Sequence, residues 1–502
     1  MARPSWRTWV GLVVFLILGA SPAAAAWRRA ESPNFIVYGN STEARLRERA
    51  LMLEDLDRLL RLTTGITTPP APNKLAVYLV SGNDDLRVVR DLGRSVGGFY
   101  SATEDGIAAF VDAGAMDGNE VLFHEYAHHF MLQYAPRAYP AWYGEGFAEY
   151  FATAQFRPNR IDYGQPSTNR GLWITQGIWL PMEQILFDPG RVRGDEQMAL
   201  FYAQSWLTTH YFFSNGERQA AFRRFLAAMA RGVDEREALR AETGLTPELL
   251  TRELRRYISS GRIAYRYLTR EPAEAVPVTI TALPDSTGDL ILYEAALRIG
   301  VSQEVQASYL QRIRTRAARH GEDPYARRVL AHAELLFGDA ATADRLLDGL
   351  LATAPRNAEL MYLKGMRYLV AAENGEWESN AANARRWFAR AHDADPNHFQ
   401  TLFRYAQSMR DRPNFVSENT SNILLLAHDL APQVGTITFA AARMLFERGQ
   451  YREVERLLAP LAVSAHDSPQ SQAIRQMLAE ARSRAGQGAN EAPPVPSENQ
   501  VR

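Results

Sequence analysis

Two histidines four residues apart, followed by a glutamate at a short interval, constrain this chain more than any other feature. They are His124 and His128 in the segment His-Glu-Tyr-Ala-His, and the later residue is Glu145. Residues four apart lie on one face of an α-helix, so both imidazoles can point to the same place. Two imidazole nitrogens and one carboxylate, with a fourth position left for water, form a hydrolytic zinc site, and Glu125 is placed to accept a proton from that water. The pattern predicts a zinc site. The alternative is a helix whose two histidines pack in a core.

The residues around the motif favour two consecutive helices. Asp117 has the form of an N-cap for the first helix, and Pro136 closes that helix. A second helix is predicted to begin near Pro140, because proline is favoured at the first helical position. Glu145 and Glu149 then share one face, and Glu149 can accept a hydrogen bond from the outer nitrogen of a ligand histidine. The alternative for Glu149 is a solvated carboxylate.

The segment Trp-Tyr-Gly-Glu-Gly-Phe-Ala-Glu-Tyr, residues 142–150, follows the histidine helix. This order of motifs resembles the gluzincins, a group of zinc metallopeptidases, and more narrowly the bacterial peptidase MA-like families. The resemblance covers roughly residues 27–268 and is most specific around the motifs. It implies one zinc ion per chain, with His124, His128 and Glu145 as its ligands and Glu125 as the general base.

Two departures from related patterns narrow the expectation. The Gly-x-Met-Glu-Asn segment of the gluzincin aminopeptidases is absent, and the interval from His128 to Glu145 is shorter than theirs, so aminopeptidase specificity is not implied. A metzincin would need glycine and histidine at positions that hold Met131 and Tyr134. The metzincin pattern is therefore excluded.

A tyrosine further along the chain is a candidate for the catalytic machinery. Tyr202 lies in an apolar segment predicted to be helical, which resembles the aminopeptidase segment whose tyrosine donates a hydrogen bond to the developing oxyanion. Such a donor stabilises charge that exists only in the transition state. The alternative is a core tyrosine on an amphipathic helix.

A strand before the metal helix is a candidate for binding the substrate backbone. In gluzincins the edge of the sheet beside that helix pairs with the substrate, which is binding by strand addition. The candidate edge strand is formed by Ile107, Ala108, Ala109, Phe110 and Val111. The alternative is an ordinary strand in the core of the sheet.

Composition and the first residues bear on where the protein works. A formal net charge of −1 in 502 residues gives no argument for binding nucleic acid, and the absence of cysteine excludes disulfides and thiol catalysis. Residues 1–26 combine Arg3 and Arg7, an apolar run and a stretch of alanines, as in a secretory signal peptide. We therefore expect a periplasmic or secreted protein. A membrane association follows only if this segment stays uncleaved as an anchor.

The remaining chain is predicted to contain a linker and a repeat domain. Residues 271–288 carry three prolines and are predicted to link a metallopeptidase-like domain, residues 27–270, to helical repeats in residues 289–486. Ala343, Leu347 and Pro355 have the spacing of the second helix of a tetratricopeptide repeat, and similar sets precede Pro396 and Pro432. Residues 487–502 are predicted to be a disordered tail. The repeats could bind a substrate or partner protein, or only support the first domain.

The sequence thus predicts an α+β gluzincin-like catalytic domain, with a small sheet and active-site helices, followed by an all-α tetratricopeptide-like solenoid. The favoured function is an exported zinc-dependent peptidase that acts on a peptide or protein substrate. The first alternative is a repeat-based protein-binding module whose peptidase-like domain is structural or regulatory. The second is a zinc hydrolase that acts on something other than a peptide.

Overall fold

The computed structural model describes residues 27–91, 97–115, 118–261, 263, 265–269, 276–462 and 469–490. The predicted signal peptide, the N-cap Asp117 and residues 491–502 of the predicted tail lie outside these residues. Among the residues described, no helix combines the length and the apolarity needed to span a membrane.

Nine strands occur in the described residues. They are β1 (Arg28–Glu31), β2 (Phe35–Gly39), β3 (Leu75–Val80), β4 (Gly98–Thr103), β5 (Gly106–Asp112), β6 (Gln155–Phe156), β7 (Arg160–Tyr163), β8 (Arg266–Thr269) and β9 (Thr279–Ala282). The main sheet has the order β4-β5-β3-β2-β1-β9, and β6, β7 and β8 form a second, small sheet.

Before residue 260, the described residues form ten α-helices. They are α1 (Glu43–Thr64), α2 (Asn83–Val89), α3 (Gly118–Tyr134), α4 (Ala141–Ala152), α5 (Thr168–Gln176), α6 (Met182–Phe187), α7 (Gly194–Phe213), α8 (Gly216–Ala230), α9 (Glu235–Thr243) and α10 (Pro247–Ser259). The predicted histidine helix is α3, and the predicted acidic helix is α4, which begins directly after Pro140.

The second half of the chain is helical. Its helices are α11 (Asp285–Ile299), α12 (Gln306–Ala317), α13 (Pro324–Phe337), α14 (Ala340–Thr353), α15 (Ala358–Ala371), α16 (Trp377–Ala394), α17 (Phe399–Gln407), α18 (Glu418–Leu430), α19 (Gly435–Glu447), α20 (Tyr451–Ala462) and α21 (Pro469–Asn490). The predicted disordered tail therefore begins inside α21, and its first residues belong to that helix.

The main sheet is buried on both faces. In β3, Val77 and Leu79 join the core beneath α1 and α3, whereas Tyr78 and Val80 join a second core built with α11 to α13. Side chains alternate between the faces of a strand, so a strand that is apolar throughout must be covered on both sides. Helices α11 to α13, at the start of the second half of the chain, cover one of the two faces.

The predicted linker is part of this arrangement. Within residues 271–288, β9 pairs antiparallel with β1, and α11 begins before the segment ends. Proline and polar composition indicated an exposed connection, but Ile280 pairs with Ala30 at the sheet edge, and Leu290 in α11 is completely buried. The solenoid is consequently joined to the sheet through a shared core.

The predicted repeats are present as antiparallel helix pairs from α13 to α20, in a tetratricopeptide-like solenoid. The second helices α14, α16 and α18 end just before Pro355, Pro396 and Pro432, as the spacing predicted. Inside one pair, the ring of Phe388 on α16 would lie 2.5 Å from a Cβ atom at position 365, so Gly365 on α15 allows the two helices to approach closely.

We predict that removing residues 289–502 prevents the first half from folding stably. The deletion uncovers Tyr78, Val80 and Phe110, and exposing each large apolar side chain costs about 1.5–3 kcal/mol. Circular dichroism melts and size-exclusion chromatography would show aggregation or loss of a cooperative transition. A chain that ends at residue 490 and keeps every described helix is the control. A soluble, monomeric truncation that melts like this control would contradict the shared core.

Candidate metal centre

Three potential metal ligands converge between α3 and α4. The Nε2 atoms of His124 and His128 lie 3.1 Å apart, and the Glu145 Oε2 atom lies 3.4 Å from His124 Nε2 and 3.2 Å from His128 Nε2. Among the described residues, these three form the one group whose ligand atoms are arranged to hold a metal ion. The helical spacing of the histidines and the packing of α4 against α3 bring the three together, as the sequence predicted.

The size of this triangle fits a zinc ion. Tetrahedral zinc binds nitrogen and oxygen at about 2.0–2.2 Å, which places neighbouring ligand atoms roughly 3.3–3.6 Å apart. The edges of 3.1, 3.2 and 3.4 Å are close to that value. The donor set of two imidazoles and one carboxylate is also the one that catalytic zinc sites use with an open fourth position. The residues present therefore fit the ion that the motif predicts.

The charge of Glu145 supports the same interpretation. Its side chain is buried, and in the described part of the chain it forms ion pairs with the two histidines rather than with lysine or arginine. Burial opposes ionisation, but the neighbouring imidazoles hold the pKa of Glu145 below its usual range. Burial likewise disfavours a charged imidazole, but hydrogen bonds to Glu145 and Glu149 raise the pKa of His124 to about 10. The site thus stabilises positive charge between these groups.

Glu149 contacts the outer nitrogen of a ligand histidine. Its Oε1 atom lies 3.2 Å from His124 Nδ1, so the predicted hydrogen bond that fixes the imidazole is present in the geometry. Burial opposes the charge on Glu149, yet hydrogen bonds from His124 and Arg170 hold its pKa at about 2. The carboxylate stays ionised and keeps the Nε2 atom of His124 directed at the cluster.

Arg170 is a residue of the site that the sequence did not reveal. It lies on α5, and its Nε and second guanidinium nitrogen donate to the two oxygens of Glu149 at 2.9 and 2.7 Å. The guanidinium carbon also lies 5.0 Å from the ring centre of Tyr202. Arg170 therefore orients both Glu149 and Tyr202. No local motif marks it, because its contact with Glu149 joins side chains 21 residues apart in sequence.

Tyr202 lies beside the cluster because α7 packs very closely on α4. At Gly146 a Cβ atom would collide with Thr209 Oγ1 and the Ser205 carbonyl of α7, so only glycine permits this approach. The Tyr202 ring is edge-on to the His124 ring, with the centres 6.0 Å apart. Burial, reinforced by Glu145 and Glu149, raises the pKa of the Tyr202 phenol above its usual range. The hydroxyl keeps its proton and can donate a hydrogen bond.

Glu125 borders the same cleft as the ligand cluster. A cavity of about 430 Å³ is lined by His124, Glu125, His128, Glu145 and Tyr202. Glu125 is partly exposed, whereas Glu145 is buried. Its carboxylate therefore borders the same space as the three potential ligands.

The strand proposed to bind the substrate is not at the edge of the sheet. Ile107 to Val111 belong to β5, which is hydrogen-bonded to β4 on one side and to β3 on the other. The edge strand is β4, whose Tyr100 lines the cleft. The sequence indicated the strand, but its place in the sheet depends on pairing with segments distant in sequence. The alternative stated for these residues, an ordinary core strand, is the correct one.

His129 joins the back of the metal helix to the edge strand and to the solenoid. Its Nδ1 atom lies 3.0 Å from Tyr100 Oη, and its Nε2 atom lies 3.4 Å from the side-chain nitrogen of Gln433. Burial lowers the pKa of His129 to about 3, so the ring is neutral at physiological pH. This buried histidine has a packing role away from the ligand face.

The turn between β4 and β5 is held by the solenoid. Two guanidinium contacts join Arg404 to the Asp105 carboxylate at 2.8 and 3.0 Å, and Tyr362 Oη donates to the same carboxylate at 2.9 Å. Thr436 donates to the neighbouring Glu104 at 3.1 Å. Tyr362, Arg404 and Thr436 lie on α15, α17 and α19, the first helices of successive pairs. The solenoid thereby anchors the end of the edge strand.

Comparisons with known proteins find similarity only to solved structures at low sequence identity. No protein-family model matches the sequence, and no curated protein is significantly similar to it. Among solved structures, the chain is similar to a thermophilic TPR protein in Thermus thermophilus, at 16% identity over 39% of this chain and 99% of that chain, with a TM-score of 0.31. It is also similar to the MamA RS-1 ArsTM double mutant, at 14% identity over 41% of this chain and 97% of that chain, with a TM-score of 0.25. The helix pairs from α13 to α20 are what identify the repeats in this chain.

We predict that Asp105→Asn destabilises the chain by roughly 1–3 kcal/mol, because Arg404 is largely buried and loses the closer of its two carboxylate partners, keeping only Glu104 at 3.7 Å. Urea or thermal unfolding would measure the change. The matched control is Glu373→Gln, which removes an ion pair with Arg410 in which both side chains are about half exposed, and should cost less than about 0.5 kcal/mol. Equal effects of the two substitutions would show that the turn is not anchored by this contact.

Proposed function

We propose that this chain is an exported zinc-dependent peptidase of the gluzincin type. The observation that carries the proposal is the triangle of His124, His128 and Glu145 ligand atoms, with edges of 3.1–3.4 Å, backed by Glu149. These three residues would hold one zinc ion per chain. Export to the periplasm or the medium is proposed from the signal-like residues 1–26.

The chemistry of the site divides between the ion and the protein. A bound zinc ion would supply Lewis acidity to a water molecule and to the carbonyl of the scissile bond. Glu125 accepts the proton of the attacking water and then delivers it to the leaving amine. Tyr202 donates a hydrogen bond to the carbonyl oxygen as negative charge develops on it. Arg170 and Glu149 keep His124 and Tyr202 oriented.

The proposed substrate is an extended peptide. Strand β4 is an edge strand of the main sheet among the described residues, and its Tyr100 lines the cleft that contains the ligand cluster. A peptide can add to such an edge through main-chain hydrogen bonds without needing a particular sequence. This geometry favours a peptide over other hydrolysable substrates, since an ester or amide without a peptide backbone cannot form these main-chain hydrogen bonds with the edge strand.

The binding-module alternative rests on the solenoid. Helix pairs of this kind commonly bind peptides or proteins, so a protein partner on the repeats is compatible with the proposal. The side chains of Tyr362 and Arg404, however, are already engaged by Asp105 of the same chain. A partner would need another part of the solenoid or would have to displace this turn.

We predict that His128→Ala removes most of the bound zinc, because two ligands hold the ion far less tightly than three. Elemental analysis of dialysed protein should give about one zinc per chain in the wild type and much less in the variant. His392→Ala, which removes a histidine of α16 outside the cluster, is the control. Stoichiometric zinc in His128→Ala would refute the ligand assignment.

We predict that Glu125→Gln leaves zinc content and folding unchanged but lowers turnover by roughly 10²–10⁴-fold, the usual contribution of a general base. The substitution keeps the size of the side chain and removes its ability to accept a proton. Mass spectrometry of a diverse peptide mixture incubated with zinc-loaded wild type would identify cleavable peptides, and steady-state kinetics on these would give the ratio.

Tyr202→Phe serves as the second arm of this experiment. It should lower kcat on the order of 10²-fold with little change in KM, since the hydroxyl acts mainly in the transition state. Wild-type activity in Glu125→Gln would disprove the mechanism. Zinc-loaded wild type that cuts no peptide, but retains a specific protein through the repeats, would favour the binding module instead.

A further inference from the structure

The cleft that contains the ligand cluster has one wall from each half of the chain. On the first wall are Met131 and Leu132 of α3 and Tyr139 from the connection to α4. On the second wall are Pro460 and Leu461 near the end of α20, more than three hundred residues later in sequence. The solenoid therefore contributes directly to the surface next to the candidate metal ligands.

The position of α20 is fixed by the packing already described. Its Val454, Leu457 and Leu458 are buried in the last core of the solenoid, and Leu461 packs partly against that core. The same stretch of solenoid is held to the edge strand through Asp105 and Arg404. Leu461 packs against this core and also borders the cleft, so its position in the wall of the cleft is fixed.

The walls of the cleft are mainly apolar outside the ligand cluster. The cavity is bordered by the three potential ligands and by Glu125. The other charged side chain that borders it is Arg137, which is exposed. The volume of about 430 Å³ lies within the roughly 300–1,000 Å³ range of small-molecule and peptide side-chain sites. An apolar cavity beside a polar reaction centre favours an apolar substituent of the substrate.

We propose that Pro460 and Leu461 are specificity-determining residues that, with Met131, Leu132 and Tyr139, bind a large aliphatic or aromatic side chain of the substrate next to the scissile bond. The inference rests on the proposed peptidase function and adds the class of substrate. The solenoid selects the substrate by completing this pocket. The pocket therefore needs α20 as well as α3.

The experiment uses full-length, zinc-loaded Glu125→Gln, which binds substrate with little turnover. Fluorescence anisotropy measures its affinity for a short alanine and glycine host peptide whose central residue is leucine, phenylalanine, glycine, aspartate or lysine. We expect leucine and phenylalanine to bind at least about 10-fold more tightly than glycine, as a filled apolar pocket requires. Zinc-loaded wild type is then given an equimolar mixture of the same peptides, and the cut sites are mapped.

Variants at position 461 assign the preference to the solenoid. In the Glu125→Gln background, Leu461→Ala should weaken binding of the leucine peptide about 5- to 30-fold, as expected for losing about 40–80 Å² of apolar contact. The aspartate peptide should change less than about 2-fold. Leu461→Met should restore most of the affinity, and Leu426→Ala, at an exposed leucine of α18, should change nothing. Thermal melts of each variant exclude misfolding.

The outcomes separate this inference from the proposed function. Affinities that do not depend on the central residue, or equal losses for the leucine and aspartate peptides in Leu461→Ala, would overturn the pocket even if the wild type cuts peptides. Apolar-selective binding to the variant, together with a zinc-loaded wild type that cuts no peptide, would overturn the peptidase and leave the pocket in place. No binding by folded, zinc-loaded protein would overturn the pocket as well.

Discussion

The main sheet must be covered on both faces, and this requirement determines how the two halves of the chain are arranged. Strand β3 is apolar throughout, so Val77 and Tyr78 belong to different cores on opposite sides of the sheet. Helices α1 and α3 cover one face, and α11 with the helices that follow covers the other. The solenoid is therefore attached to the sheet by burial of apolar surface, which is the dominant favourable contribution to folding. From this attachment point it extends to the turn between β4 and β5 and then to the cleft.

The second constraint is electrostatic. Glu145 and Glu149 are 8% and 6% exposed and lie one helical turn apart, so two carboxylates are buried close together. Burying a charge is costly unless it is paired and hydrogen-bonded. Arg170 compensates Glu149 with two hydrogen bonds, whereas in the described part of the chain Glu145 pairs with His124 and His128. Glu145 is therefore the carboxylate of this pair whose charge no arginine or lysine in direct contact compensates.

Features that depend on residues close together in the sequence could be predicted from it. Features that depend on packing between distant segments could not. The His124 and His128 pair, the helix after Pro140 and the helix ends before Pro355 and Pro396 depend on local spacing and capping, and the structure has them where predicted. The order of β4 and β5 in the sheet, the pairing of β9 with β1 and the contact of Arg170 with Glu149 depend on packing between distant segments. Apolar alternation identifies a strand but not its neighbours, so an edge strand and a central strand of similar composition cannot be distinguished by pattern alone.

The same non-local packing gives the solenoid a connection to the candidate active site. Asp105 ends the turn that follows β4, and its carboxylate is bound by Tyr362 and Arg404 on two successive repeats. A ligand that bound these two side chains would have to displace Asp105, and it would release the end of the edge strand on which a substrate would pair. Linkage makes the effect reciprocal, since a substrate that stabilised β4 would strengthen the contact between Asp105 and Arg404 and would weaken binding of the competing ligand. Repeats that hold their own sheet in this way cannot bind a partner at these residues without a change at the cleft.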